Sequence, residues 1–230
     1  MLPEHLTRCE WLPTLPHVKV LVTAGPTREP IDPVRFLTNR SSGKMGYALV
    51  EAFIKAGHQV LLISGPTRLD VPEHADFIPV ETAEEMHAAV KAYIGRMDVA
   101  VFVAAVADYT PAKVASSKIK KSGDTLVLEL VRTPDILGSA RNDFGFRGTL
   151  VGFAAETENL ESNAREKLLG KHCDLVIAND VSQPDIGFDS EENEVLLVYP
   201  DRTISLPADT KNHLAHHLVD AILELQTFKS

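Results

Sequence analysis

HVKVLVTAGPTREPIDPVRFLTNRSSGKMGYALVEAFIKAGHQVLLISG, residues 17–65, decides the fold. A Val-rich run, HVKVLVTAG, leads through a long connection into YALVEAFIKAG, whose apolar positions recur at helical spacing. A second apolar run, HQVLLISG, follows at once. Strand, helix, strand is the reading. Neither apolar run alternates with polar residues, as expected of strands covered on both faces in a parallel sheet.

Outward from this unit the same rhythm continues. Strands are expected in ADFIPVE, DVAVFVAAVAD, TLVGFAAE and DLVIAND, and helices over 43–56, 82–95, 134–142, 159–171 and HLAHHLVDAILELQ. The sequence thus predicts an α/β fold, a Rossmann-like parallel sheet with crossover helices. DTLVLELVRT (124–133) alternates instead, and so, more loosely, do NEVLLVYP and TISLPAD on either side of an Asp-Arg pair, which reads as a hairpin. These are expected as antiparallel strands outside the parallel sheet. A Pro-rich N-terminal extension, 1–17, precedes one domain, 18–230.

Composition narrows the function classes. With 230 residues and 44% hydrophobic content the chain can bury a sizeable core. No run approaches the ~18 apolar residues of a membrane span, and residues 1–17 lack the layout of a secretory signal, so a cytoplasmic protein with no membrane partner is expected. A formal charge of −9 disfavours nucleic acid, whose binding needs clustered Lys and Arg. Cys9 and Cys173 form no metal spacing; Cys173 reads as a buried free thiol. His213, His216 and His217 read as surface histidines.

Charge is distributed unevenly, however. Arg28, Arg35, Arg40 and Lys44 crowd the first connection, and four lysines without a carboxylate lie between Tyr109 and Gly123. Two basic loops on an acidic protein point to a small anionic ligand. The connection 25–42, within GPTREPIDPVRFLTNRSSGKMG, is about 18 residues long, where a βα loop ordinarily has ~2–6, and long loops there are usually functional. Its NRSSGKMG end, directly before a helix, can present backbone N–H groups to an anion. The spacing matches neither common phosphate-loop motif. Asn39 suits a turn or an amide offered to a substrate carbonyl. Asp108, at the end of a strand rich in small residues, opens a turn or accepts from a hydroxyl or amide. Lys167 and Lys171 share a helix face, an arrangement that an anion beside them would relieve.

Taken together, GPTREPIDPVRFLTNRSSGKMG, AAVADY, KIKK, GFAAETE and ANDVSQPDIGF, in this order, closely resemble the phosphopantothenoylcysteine synthetase family, over roughly residues 18–226. The resemblance implies an enzyme of coenzyme A biosynthesis. A nucleotide, CTP in the bacterial branch, activates the carboxylate of 4′-phosphopantothenate as an acyl-nucleotide, and L-cysteine then attacks to form the amide. It further implies that Ser41, Ser42 and Gly43 cradle phosphate, and that Asn39 holds the acyl-cytidylate. Lys118 would bind triphosphate from a mobile flap. Asp108, Pro134, Asp135, Ile136, Leu137, Phe153, Lys167 and Lys171 would serve the nucleotide; Ala104, Ala105, Asp108 and Asn39 would serve the substrate. Arg35 would cross a homodimer interface to phosphopantothenate, the dimer being built through the added strands.

Mg²⁺ is expected with the triphosphate on general grounds, with protein ligands unknown. Arg40 departs from the histidine of common bacterial relatives. Many of these carry a flavin-dependent decarboxylase domain first, for which residues 1–17 leave no room. The chain is therefore expected to be a stand-alone synthetase or a fragment of a bifunctional one, and a separate decarboxylase becomes a candidate partner. Two rivals share the fold class: a non-catalytic nucleotide sensor and an NAD(P)-dependent oxidoreductase. The second lacks its Gly-rich fingerprint and the acidic residue expected where ISGPTR stands.

Overall fold

A computed structural model describes residues 17–121, 123–156, 158–180 and 192–227. The elements run β1 (Lys19–Ala24), β2 (Arg28–Pro30), β3 (Phe36–Thr38), α1 (Lys44–Lys55), β4 (Gln59–Ser64), β5 (Asp76–Pro79), α2 (Ala83–Tyr93) and β6 (Val99–Phe102). They continue β7 (Tyr109–Pro111), β8 (Leu130–Arg132), α3 (Ile136–Asn142), β9 (Thr149–Glu156), α4 (Leu160–Gly170), β10 (Leu175–Asp180), β11 (Glu192–Val198), β12 (Thr203–Thr210) and α5 (Lys211–Thr227). The five helices read from the sequence are all present, each within a few residues of its expected bounds.

Eight strands form one sheet in the order β12-β11-β10-β9-β6-β1-β4-β5. The six strands from β10 to β5 pair parallel, and both faces of this slab are buried. Val20, Val22, Leu62 and Val101 point to the side covered by Leu49, Val50 and Phe53 of α1 and by Leu214, Leu218 and Ile222 of α5. Leu21, Ile63, Ala100 and Leu150 point to the opposite side, against Met86 and Val90 of α2, Ile136 and Ala140 of α3, and Ala164 and Leu168 of α4. Alternate residues thus enter two different cores, which is why the strand sequences show no polar alternation. Cys173 is a free, buried thiol, as expected, and desolvation raises its pKa to about 12, so it is inert rather than catalytic.

One expectation is corrected. The hairpin of β11 and β12 does not stand outside the main sheet: β11 pairs antiparallel with β10, Ile177 opposite Leu197, and β12 forms the sheet's edge. Its turn closes at Asp201-Arg202, where Tyr199 N–H donates to the Arg202 carbonyl at 2.9 Å. The segment 124–133 does lie outside the sheet, but only Leu130–Arg132 is strand, paired antiparallel with Tyr109–Pro111. A further small hairpin, β2 with β3, folds within the long first connection. The extension 1–16, with Cys9, and the motif residues 181–188 of ANDVSQPDIGF lie outside the described residues.

Candidate active site

Chain order along the sheet reverses between β1 and β6, and open α/β sheets bind ligands at such a switch point, beyond the carboxyl ends of the strands. A cleft of about 880 Å³ lies there, in the upper part of the ~300–1,000 Å³ range of ligand pockets. Its floor is Thr23 and Gly25 at the end of β1, Phe102 to Val106 at and beyond the end of β6, Phe153 and Ala155 on β9, and Asn179 on β10.

One wall is the end of the long connection and the start of α1. Asn39 to Gly46 all face the cleft. Asn39 donates its amide to the carbonyls of Val106 at 3.0 Å and Ala105 at 3.4 Å, which fastens the loop across the end of β6. The Ser41 hydroxyl accepts from Gly43 N–H at 3.4 Å. Gly43 has φ 80°, and a Cβ there would lie 2.7 Å from the Thr67 methyl; only glycine turns the chain here. Gly46 lets α1 sit directly on β1, because its Cβ would lie 2.6 Å from that of Ala24. The helix therefore begins with its N–H groups at the cleft.

The opposite wall comes from the segments around α3 and α4. Beyond β6 the chain stays bonded to the continuation of β1: Ala105 N–H donates to the Gly25 carbonyl and Thr27 N–H to the Ala105 carbonyl. Asp108 lies on the cleft wall, its backbone carbonyl accepting from Thr133 N–H. Pro134, Asp135, Ile136 and Leu137 line the cleft where α3 starts. Asp135 caps that helix by accepting from Gly138 N–H at 3.0 Å and pairs with Lys171 Nζ at 2.5 Å. Burial opposes its ionisation, but Lys171 and the Gly138 N–H outweigh it and hold the carboxyl below its ordinary pKa. Lys167 donates to the Phe153 carbonyl at 2.7 Å. Desolvation lowers its pKa, with Glu156 and the Cys173 thiol opposing.

Of the residues expected in the site, the structure gathers Asn39, Ser41, Ser42, Gly43, Ala104, Ala105, Asp108, Pro134, Asp135, Ile136, Leu137, Phe153, Lys167 and Lys171 around this one cleft. Two stand apart. Lys118 is exposed on the loop between β7 and β8 and is not part of the lining, while Arg35 pairs with Asp32 at 2.5 Å at the tip of the β2–β3 hairpin. Arg132, Asn179, Asn193 and Lys211 line the cleft without having been expected there. Lys211 starts α5 and is buried, and Asn193 is buried on β11. Only Asn179 carried a sequence signal, as part of ANDVSQPDIGF. Arg40, Lys44, Arg132, Lys167, Lys171 and Lys211 face two carboxylates, Asp108 and Asp135, so the cleft is cationic in an anionic protein.

His213 does pair with a carboxylate, that of Asp209, and its ring lies 4.9 Å from that of His217. Even so, no group of three or more His, Cys, Asp or Glu side chains fit to hold a metal exists among the described residues.

The model of the DNA/pantothenate metabolism flavoprotein C-terminal domain matches residues 15–225. The chain belongs to this family. Among its members, the coenzyme A biosynthesis bifunctional protein CoaBC of Escherichia coli (strain K12) is 45% identical over 212 residues, covering 91% of this chain and 52% of that protein. CoaBC of Bacillus subtilis (strain 168) is 46% identical over 211 residues, covering 90% and 51%. The chain thus spans about half the length of the curated relatives it matches. A crystal structure of the C-terminal domain of CoaBC superposes with a TM-score of 0.79 at 40% identity, covering 92% of this chain and 97% of that domain. A Cab2 variant in complex with phosphopantothenate-cysteine superposes at 0.75 with 18% identity, covering 92% and 87%, and shows the same fold. The resemblance to phosphopantothenoylcysteine synthetase drawn from the motifs holds at the level of this family. No helix among the described residues is long and apolar enough to cross a membrane.

Proposed function

We propose that this domain is a ligase of coenzyme A biosynthesis that joins 4′-phosphopantothenate to L-cysteine through an acyl-cytidylate, consuming CTP and releasing CMP and pyrophosphate. The observation that carries the reading is the cationic cleft itself: six basic side chains, two carboxylates and the N-terminus of α1, at the switch point of a family whose full-length relatives are named as coenzyme A biosynthesis proteins. A carboxylate attacking an α-phosphate brings two anions together. The barrier falls where fixed positive groups and N–H donors meet the charge that develops.

The residues divide the work by position. Ser41, Ser42 and the N–H groups of Gly43 and Lys44 suit a phosphate group, and Asp135 to Leu137 with Phe153 suit the nucleoside end beside Lys167 and Lys171. Ala104 and Ala105 have side chains small enough to let the pantetheine-like chain lie against backbone. Asn39 stands between these parts, with its amide already fixed by Val106. Lys118 on the lysine flap would bring charge to the triphosphate, and closure of the flap would exclude water from a hydrolysable intermediate. Mg²⁺ bound with the nucleotide would supply positive charge to the triphosphate. Of the two lining carboxylates Asp135 is paired with Lys171, so Asp108 is the one that would be left to hold an ion carried in by the nucleotide.

The test is product formation. Purified protein with 4′-phosphopantothenate, L-cysteine and CTP is expected to yield phosphopantothenoylcysteine and CMP one for one, with ATP a poorer substrate. Absence of product with either nucleotide refutes the reading and favours a nucleotide sensor.

A further inference from the structure

Asp32 and Arg35 form a closed arrangement that the expected dimer contact does not explain. The Asp32 side chain is completely shielded from solvent. Its Oδ1 accepts the N–H groups of Val34 and Arg35, both at 2.9 Å, and its Oδ2 accepts from the Arg35 guanidinium. The same Oδ2 accepts Ile119 N–H at 3.0 Å, from a segment 87 residues away. Arg35 in turn donates to the Ile119 carbonyl at 3.0 Å. One ion pair therefore holds both polar groups of a single residue in the Lys-rich loop. Four residues earlier, Ala115 N–H donates to the Ile31 carbonyl at 3.0 Å.

Ile119 is the second residue of the Lys118-Ile119-Lys120-Lys121 run. The loop that bears it leaves and re-enters at the β7–β8 pair, where Ala112 N–H donates to the Glu129 carbonyl. The connection that grips it continues directly into Asn39, Ser41 and Ser42 of the cleft wall. We propose that the Asp32–Arg35 pair is a clasp that gives the lysine flap its anchor point, so that Lys118, Lys120 and Lys121 are carried in fixed register with the Asn39–Gly43 wall. Asp32 acts through the flap and is a positioning residue, while Arg35, besides the contact expected with the neighbouring subunit's substrate, supplies the guanidinium that fastens Ile119. The inference rests on the proposed function only for what the flap reaches, a nucleotide triphosphate; the clasp itself is a matter of the bonds just described.

The charged groups can be removed without changing size. In Asp32→Asn the carboxylate that accepts from Ile119 and Arg35 is lost, and charge-assisted bonds of this kind hold a segment closed strongly enough that opening should rise on the order of tenfold. Tryptic cleavage after Lys118, Lys120 and Lys121, followed by peptide mass, reads that opening when reclosing is fast. The expected result is faster cleavage at these three lysines with unchanged cleavage at Lys55 and Lys91. Arg35→Lys keeps the charge but not the fork, and is expected to accelerate the same cleavages, which preserves the test should Asp32→Asn fail to fold. Equal acceleration at all five lysines, or none at the flap in either variant, overturns the clasp.

A second readout separates positioning from general damage. If Asp32 works through the flap, Asp32→Asn and Lys118→Gln are expected to be non-additive in CTP-dependent pyrophosphate release, the double variant losing little more than Lys118→Gln alone. Independent, multiplying losses overturn the proposal. Should the wild-type protein release no pyrophosphate, the proposed function fails, and the proteolysis, which needs no nucleotide, decides the clasp by itself.

Discussion

Asn39 bonds at 3.0 Å to the Val106 carbonyl, which leaves its amide at the meeting point of the α1 wall and the β6 end without a charge of its own. Asn39→Asp keeps the shape, removes the donor and sets a negative group beside an anionic intermediate. Pyrophosphate is expected still to form from CTP and phosphopantothenate, while amide formation falls by about 10²–10³. Trapped acyl-cytidylate measured by quenched flow checks this; loss of nucleotide binding, or product at the wild-type rate, contradicts it. Lys167 supplies a pH signature. Its pKa is lowered in the ligand-free protein, chiefly by desolvation, and a bound phosphate would raise it by stabilising the ammonium. At a pH between the free and bound values, binding must take up a proton. Calorimetry of CTP binding in two buffers of different ionisation heat should show net proton uptake that is absent in Lys167→Met; proton release would refute the contact.

At the scale of elements, what periodicity governs was readable and what pairing governs was not. The helices announced themselves because each buries one stripe against the sheet, as α1 does with Leu49, Val50 and Phe53. The alternation in β11 matches a strand with Asn193, Val195 and Leu197 buried and Glu194 exposed, whereas β12 buries none of its residues; alternation says nothing of which strand they join, and the open edge of β10 took them. In 124–133 the same alternation overreached, because Tyr109–Pro111 offers a partner only to Leu130–Arg132. Two glycine and capping sites make a paired prediction. Gly46→Ala forces α1 away from Ala24 and is expected to weaken nucleotide affinity about tenfold or more, since the helix carries the anion wall. Thr82→Ala removes the α2 capping box, closed by Thr82 and Glu85, and should cost about 1 kcal/mol of stability. Thr82 lies outside the cleft lining, so CTP affinity should not change. Thermal melts and CTP titrations of both variants distinguish them; equal loss of affinity contradicts the placement.

The molecule as a whole joins these parts through the sheet. Arg132, Asn193 and Lys211 went unread in the sequence because they stand on elements far apart in the chain and meet only once the strand order is set. Asn39 to Gly43 were legible because their chemistry is local to one loop. Apolar side chains also remain uncovered: Tyr109, Leu126, Val127, Leu130 and Val131 are all exposed beside the β7–β8 pair, Val127 at 88%. Contiguous exposed apolar groups of this kind favour association. A homodimer is expected, and sedimentation at micromolar concentration should show a species near twice 25.2 kDa; a monomer throughout would count against it. The chemistry itself is reached most directly by isotope exchange between labelled pyrophosphate and CTP in the absence of cysteine. Reversible acyl-cytidylate formation in the cleft predicts exchange that requires 4′-phosphopantothenate and is lost in Lys118→Gln. Amide synthesis without any such exchange, or exchange that proceeds without phosphopantothenate, would contradict it.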